Sequence, residues 1–183
     1  MMTPPAPWTG SPAATSLAFL LLVVALAPFR PAVVRPETDP QRLPYLDGVK
    51  NSESGQLDIT MEVLIQTSKM RAAGEAPTRL TIGLASQAAY WTAAQLVAHH
   101  TVNGCNLRTG DLFGSGTLSG PTADSAGSLL ELTQGGKTAI ELPNGEKRTF
   151  LQDGDAIVLR GWCEKPGRMR IGFGHASGVV ERA

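Results

Sequence analysis

The chain is predicted to be α+β and mostly β, a mixed β roll carrying one main helix. Three observations point there. Residues 57–66 alternate between apolar and polar side chains, residues 86–101 hold one convincing helical pattern, and glycine-containing turns separate short apolar runs from residue 104 onward.

Taken in order, Arg30 to Tyr45 carries Pro31, Pro36, Pro40 and Pro44 and reads as an extended surface connector, with Glu37 and Asp39 as solvated loop charges. In the next run Leu57, Ile59, Met61, Val63 and Ile65 share one face, while Asp58, Thr60, Glu62 and Gln66 share the other. A period of two marks a half-buried strand. Asp58 and Glu62 could pair around a metal, but carboxylates on a solvated strand face are the ordinary case. Residues 70–79 turn the chain, and Leu80 to Leu84 is expected to pair back. The helix is expected from Ser86 to Thr101, with Ser86 as N-cap, an Ala-rich body and Asn103-Gly104 as a left-handed stop. Ala89, Ala93, Leu96, Val97 and His100 would form its apolar face. His99 and His100 point in different directions on a helix, so they cannot chelate one ion as an HxxxH pair does. One of them is expected to pack near the helix end, where its charge suits the dipole.

Everything beyond the helix reads as β. Arg108-Thr109-Gly110-Asp111 is a tight turn into a strand, and residues 134–137 and Asn144-Gly145 are hairpin signals. Asp153-Gly154-Asp155 turns into the apolar run 156–163. Asp111, Asp153 and Asp155 are assigned to turns rather than to a metal, because Asp bonds its own backbone two residues on.

Composition narrows the function classes. The chain has 183 residues with 42% hydrophobic content, enough for one globular core. Its 16 basic and 16 acidic residues cancel, which argues against electrostatic capture of nucleic acid or of an anionic membrane. Cys105 and Cys163 lie far apart with no CxxC spacing, so both are expected to be reduced cytoplasmic thiols. Residues 1–22 form a divergent Pro-rich and apolar leader. Leu17 to Ala27 is continuously apolar but shorter than the roughly 20 residues of a spanning helix. A signal peptide would have a basic n-region, and no charged residue precedes Arg30.

The densest information lies in HHTVNGCNLRTGDLFGSGTLSGP, residues 99–121, followed by GSLLEL (residues 127–132) and RIGFGHASG (residues 170–178). Glycines at 104, 110, 114, 116 and 120 mark backbone that needs positive φ or lets another group approach closely. Thr117 inside this run and Glu131 just downstream give it the layout of a site rather than of a spacer.

These blocks, together with the Asp-Gly-Asp turn, Tyr90-Trp91-Thr92 and His99-His100, resemble the C-terminal part of the fumarylacetoacetase (fumarylacetoacetate hydrolase) family. The likeness starts near residues 23–31 and continues to the end, so residues 23–183 are expected to be a partial C-terminal catalytic domain. Upstream of Val23 the sequence departs from the family, which reads as a wrong start, a frameshift or a truncation. The resemblance implies an incomplete β-sandwich roll in which Val23 to Leu26 is a core strand. It also implies that Thr117 contacts substrate and that Glu131 acts in catalysis by orienting a histidine, which fixes that ring's tautomer. The implied partners are a small diketo acid and a second copy of the chain, as a homodimer. The implied cofactors are calcium and magnesium, whose ligands, like the catalytic histidine, belong to a stretch this sequence lacks. His175 stands where the family has another residue and inherits no role.

The function so implied is hydrolysis of the C–C bond of 4-fumarylacetoacetate to fumarate and acetoacetate, in cytoplasmic tyrosine and phenylalanine catabolism. The fragment itself is expected to be inactive. The alternative is a non-catalytic β-rich remnant or dimerisation module, with Trp91, Phe113 and Trp162 as candidate core or interface aromatics. A third reading, export, rests on the apolar leader alone.

Overall fold

The structure is a computed structural model and describes residues 24–182. The leader, Val23 and the signal-peptide question lie outside those residues.

Strand β1 (Thr60–Gln66) and strand β2 (Thr78–Leu84) form the expected antiparallel pair, with Thr60 opposite Leu84. The other edge of β1 pairs with β5 (Ala156–Cys163), and β5 pairs with β6 (Ile171–Val179). The result is a four-stranded antiparallel sheet in the order β2-β1-β5-β6. A separate hairpin joins β3 (Ile140–Glu141) to β4 (Lys147–Arg148). The fold is therefore α+β, as expected. The strict alternation of β1 fails at one point: Leu64 and Ile65 are consecutive and both buried, beside a register shift between Val63 and Leu64. An irregularity of that kind redirects side chains by one position.

Among the described residues the helices are short, and none is long and apolar enough to cross a membrane. They are α1 (Val49–Ser54), α2 (Ser68–Ala72), α3 (Ala85–Ala88), α4 (Ala93–Val102) and α5 (Leu129–Leu132). The turn between β1 and β2 contains α2, whose N-cap Thr67 accepts a hydrogen bond from Met70 N at 3.1 Å.

The single helix expected from Ser86 is instead broken. Ala89 and Thr92 are extended, and Thr92 starts α4 with a capping box: its hydroxyl accepts from Gln95 N at 3.1 Å, and its own N–H donates to Gln95 Oε1 at 3.1 Å. The aromatic pair Tyr90-Trp91 and the β-branched Thr92 favour the break locally. Long-range bonds complete it, because Gln56 Nε2 donates to Ala89 O at 2.7 Å and the Thr92 hydroxyl donates to Asn51 Oδ1 at 2.7 Å. Ser86 is no cap; its hydroxyl donates to Asp58 Oδ1 at 2.5 Å. The face turned inward is polar, with Thr92 and Gln95 buried, while Ala93, Val97 and His100 of the expected apolar face are exposed. Gln95 is held there by donating to the Leu46 carbonyl at 3.0 Å. The left-handed stop is present, at Gly104 with φ +88°.

Three further expectations need correction. Val24 to Leu26 is not a strand: Val24 and Ala25 are helical, and a 3₁₀ turn follows at Ala27–Phe29. Pro28, with no N–H and a fixed φ, sits in the first positions of that turn, where it is tolerated. The segment after helix α4 is not all β, since the Arg108–Asp111 turn leads into irregular chain rather than a strand and Leu129–Leu132 is helical. Residues 134–137 are no hairpin; Gln134, Gly135 and Gly136 are left-handed and terminate α5. The Asn144-Gly145 hairpin and the Asp153-Gly154-Asp155 turn form where expected, with Gly145 at φ +79° and Gly154 at φ +86°.

The connector from Arg30 has no helix or strand up to the 3₁₀ turn at Pro44–Leu46, and it turns once at residues 36–39, where Asp39 N donates to Pro36 O at 3.1 Å. The buried apolar core comprises Phe29, Leu46, Leu64, Ile65, Met70, Leu142 and Cys163. Both cysteines are free thiols, Cys105 exposed and Cys163 buried, and burial pushes the Cys163 thiol up. Beside the core lies a charged network. Arg148 forks onto Asp155, with Nε to Oδ2 at 2.8 Å and Nη2 to Oδ1 at 3.0 Å, and both side chains are nearly inaccessible (5% and 0%). Glu146 accepts from Arg148, from Asn144 Nδ2 at 2.7 Å and from the Thr67 hydroxyl.

Candidate active site

Thr117 lies on a loop and Glu131 on the short helix α5, and the two segments are laced together. The first begins at the Arg108–Asp111 turn, where Asp111 Oδ2 accepts from Arg108 N at 2.8 Å and Gly110 takes φ +98°. Asp111 therefore serves the turn, as expected. The chain then runs irregularly to Gly120, whose N–H donates to the Ser125 carbonyl at 2.8 Å. Ser125 is buried in a 3₁₀ turn (Ala123–Ser125) that rests on β2, and its hydroxyl donates to Thr122 O at 2.8 Å. This turn anchors the loop to the sheet.

Gly127 makes the second junction. Its N–H points at both Glu131 Oε2 (3.0 Å) and Ser119 Oγ (3.2 Å), and Ser119 Oγ donates to the same carboxylate oxygen at 2.6 Å. Ser128 caps α5 by accepting from Glu131 N at 3.2 Å. Glu131 therefore stands in the single turn of α5 with its carboxylate folded back onto Gly127 N and Ser119 Oγ. Glu131 takes a helical position rather than the β setting expected beyond the main helix, because the Ser128 cap three positions upstream supplies a start signal. The backbone of Gly127 also packs against the other segment: a Cβ there would lie 2.5 Å from Thr117 Cγ2 and from Leu118 O.

The structure thus gathers both residues around Gly127 but gives them different outlooks. Thr117 is exposed and lines a cavity of about 360 Å³ with Met61, Glu62, Val63 and Arg160. Glu131 is exposed and lies outside that lining. None of the three histidines hydrogen-bonds to it among the described residues. His99 Nδ1 lies 3.0 Å from the Tyr45 hydroxyl, His100 Nε2 lies 3.0 Å from Cys105 Sγ, and His175 is on β6.

Sequence reasoning missed the charged wall of the cavity. Glu62 Oε2 lies 3.3 Å from Arg160 Nε, and the two residues are direct partners in the β1–β5 register. Glu62 was legible as a polar-face residue of β1, but Arg160 sits inside an apolar run and carries no local signal. Trp91 and Phe113 are 40% exposed rather than core. Trp162 is half-buried and lies under the Arg170 guanidinium at 4.6 Å.

The residues present do not fit a hard-cation site. Among the described residues no three His, Cys, Asp or Glu side chains come together to hold a metal ion, and the one acid lining the cavity is ion-paired. Calcium and magnesium take several oxygen ligands each.

Comparison with known proteins places the chain in a family. Residues 50–180 match the family model described as fumarylacetoacetate (FAA) hydrolase C-terminal. The fumarylacetoacetase of Bos taurus is 41% identical over 179 residues, covering 97% of this chain and 40% of that protein. The fumarylacetoacetase of Arabidopsis thaliana is 41% identical over 178 residues, covering 97% of this chain and 39% of that protein. The Caenorhabditis elegans fumarylacetoacetase is 46% identical over 160 residues, covering 86% and 36% respectively. The chain spans 40% or less of the length of these relatives. With more than half of its residues inside the family model and identities above 40%, the chain belongs to the fumarylacetoacetate hydrolase family and matches its C-terminal domain.

Proposed function

We propose that this chain supplies the Thr117 and Glu131 part of a fumarylacetoacetase site. The reaction is hydrolysis of the C–C bond of 4-fumarylacetoacetate to fumarate and acetoacetate, in tyrosine and phenylalanine breakdown in the cytoplasm. The observation that carries this reading is the junction at Gly127, which holds Thr117 and Glu131 together in a chain of this family. In the reaction a histidine other than His99, His100 and His175, from outside this sequence, takes a proton from water, and the hydroxide formed adds to the carbonyl carbon. The C–C bond then breaks and the departing carbanion takes up a proton. Glu131 orients that histidine and stabilises its cationic form, while the Thr117 hydroxyl holds the substrate. Calcium and magnesium require ligands other than the described residues, and the working form is a homodimer.

On this reading the 183-residue chain does not turn over by itself. The test has two arms. The purified chain, assayed with substrate and calcium, is expected to show no hydrolysis; turnover would refute its inactivity. In a chimaera carrying this chain in place of the matching segment of the bovine relative, Glu131→Gln is expected to lower kcat by about tenfold to a hundredfold, as loss of an orienting partner does. Thr117→Val is expected to act mainly on KM. Full activity in Glu131→Gln would remove the residue from the mechanism. The alternative of a non-catalytic dimerisation module draws on the exposed apolar side chains Val34, Leu112 and Met169. A stable dimer of the isolated chain, together with an inactive chimaera, would favour it.

A further inference from the structure

We propose that Arg160 is a carboxylate-docking residue of the Thr117 cavity, an inference that rests on the reading of Thr117 as a substrate contact. The β1–β5 register sets Arg160 opposite Glu62, and the β5–β6 register sets it opposite His175 on its other side. Glu62 is 14% exposed and Arg160 48%, so the acid lies inside and holds the guanidinium by Nε at 3.3 Å. That contact leaves the terminal nitrogens of Arg160 with donors for a ligand. A guanidinium offers them as a planar fork that matches a carboxylate. Arg160 is the one basic residue lining the cavity, Thr117 offers a hydroxyl in the same lining, and Gly116 beside it has φ +75°. At about 360 Å³ the cavity suits a small organic acid. Glu62 offsets the charge of Arg160, so recognition rests on directed hydrogen bonds rather than on net attraction, and removing the Glu62 charge strengthens binding.

Fumarate titrated into the isotope-labelled 183-residue chain tests this, with fumaramide as the uncharged control. Fumarate is expected to shift the amides of Gly116, Thr117 and Arg160 saturably, and fumaramide is expected not to. Arg160→Gln should weaken fumarate by about tenfold or more, the scale of a lost bond to a charged group. Glu62→Gln should tighten it, and Arg160→Lys, which keeps the charge and loses the fork, should fall between. No saturable binding, equal binding of fumaramide, or unchanged affinity in Arg160→Gln would overturn the proposal. The chimaera separates this failure from that of the hydrolase reading. If activity depends on Glu131 while Arg160→Gln leaves KM unchanged, Arg160 is wrong and the hydrolase reading stands. If fumarate binds through Arg160 while the chimaera is inactive, the reverse holds.

Discussion

A Cβ on residue 127 would lie 2.5 Å from the Leu118 carbonyl oxygen, a backbone atom that cannot swing aside as a flexible side chain can. Gly127→Ala is therefore expected to separate the two loop segments. The bonds of Gly127 N–H and Ser119 Oγ to Glu131 would be lost with that movement. The expected cost is about 1–3 kcal/mol, the scale of overpacking at a tight contact. Amide shifts at Thr117, Ser119 and Glu131 would report the movement directly, and an unshifted spectrum would show that the junction is loose. At this scale the sequence was partly legible. Thr117 and Glu131 were singled out through the family resemblance, and Gly127, which packs against them, is the first residue of GSLLEL. Arg160 did not emerge, because its partner Glu62 is set by strand register and not by any neighbour in the chain.

Elements follow their local signals where those signals are self-sufficient. The Asn144-Gly145 hairpin formed because Gly145 supplies the left-handed residue of the turn, at φ +79°, and Asn144 Oδ1 accepts from Glu146 N at 3.1 Å. The helix read as Ser86 to Thr101 failed because its pattern contained a second start signal, Thr92 with Gln95, that side chains from α1 and the following residues reinforce. The turn before β5 was read correctly, yet its buried carboxylate does more than cap. Asp155 accepts from Gln152 N at 2.9 Å and also neutralises Arg148 in the interior. Removing one member of a buried pair leaves an uncompensated charge, so Asp155→Ala is expected to cost about 3–5 kcal/mol. Denaturant unfolding measures it. Replacing both residues by apolar ones of similar volume should recover most of the loss, whereas a loss below about 1 kcal/mol for the single change would mean that water reaches Arg148.

At the scale of the whole molecule, Glu146 ties the β3–β4 hairpin to the end of β1 through Thr67. The Thr67 hydroxyl first, then the Asn144 amide and Arg148, hold its carboxyl at about 2, below the ordinary 4.5. A carboxyl depressed in the folded state adds stability that is fully present above its unfolded value. That stability drains away as pH falls from 4.5 through 2. The unfolding midpoint is accordingly expected to drop across that window, with the hairpin amides losing protection first. Glu146→Gln should flatten the drop. An equally steep fall in that variant would assign acid sensitivity to other carboxylates.

What the sequence determined by itself is whatever depends on a few consecutive residues. The β1–β2 hairpin, the Asn-Gly and Asp-Gly-Asp turns, the left-handed stop at Gly104 and the family motifs are of this kind, since backbone sterics and side-chain periodicity act within a handful of positions. The tertiary structure decided the break at Ala89–Thr92, the polar inward face of α4, the Arg148–Asp155 pair and the placement of Arg160 and Thr117 in the lining of one cavity. Most of these rest on contacts between segments far apart in the chain. Which groups meet there is set by strand register and by the demand that buried polar groups find partners, and neither is written in any local stretch of sequence.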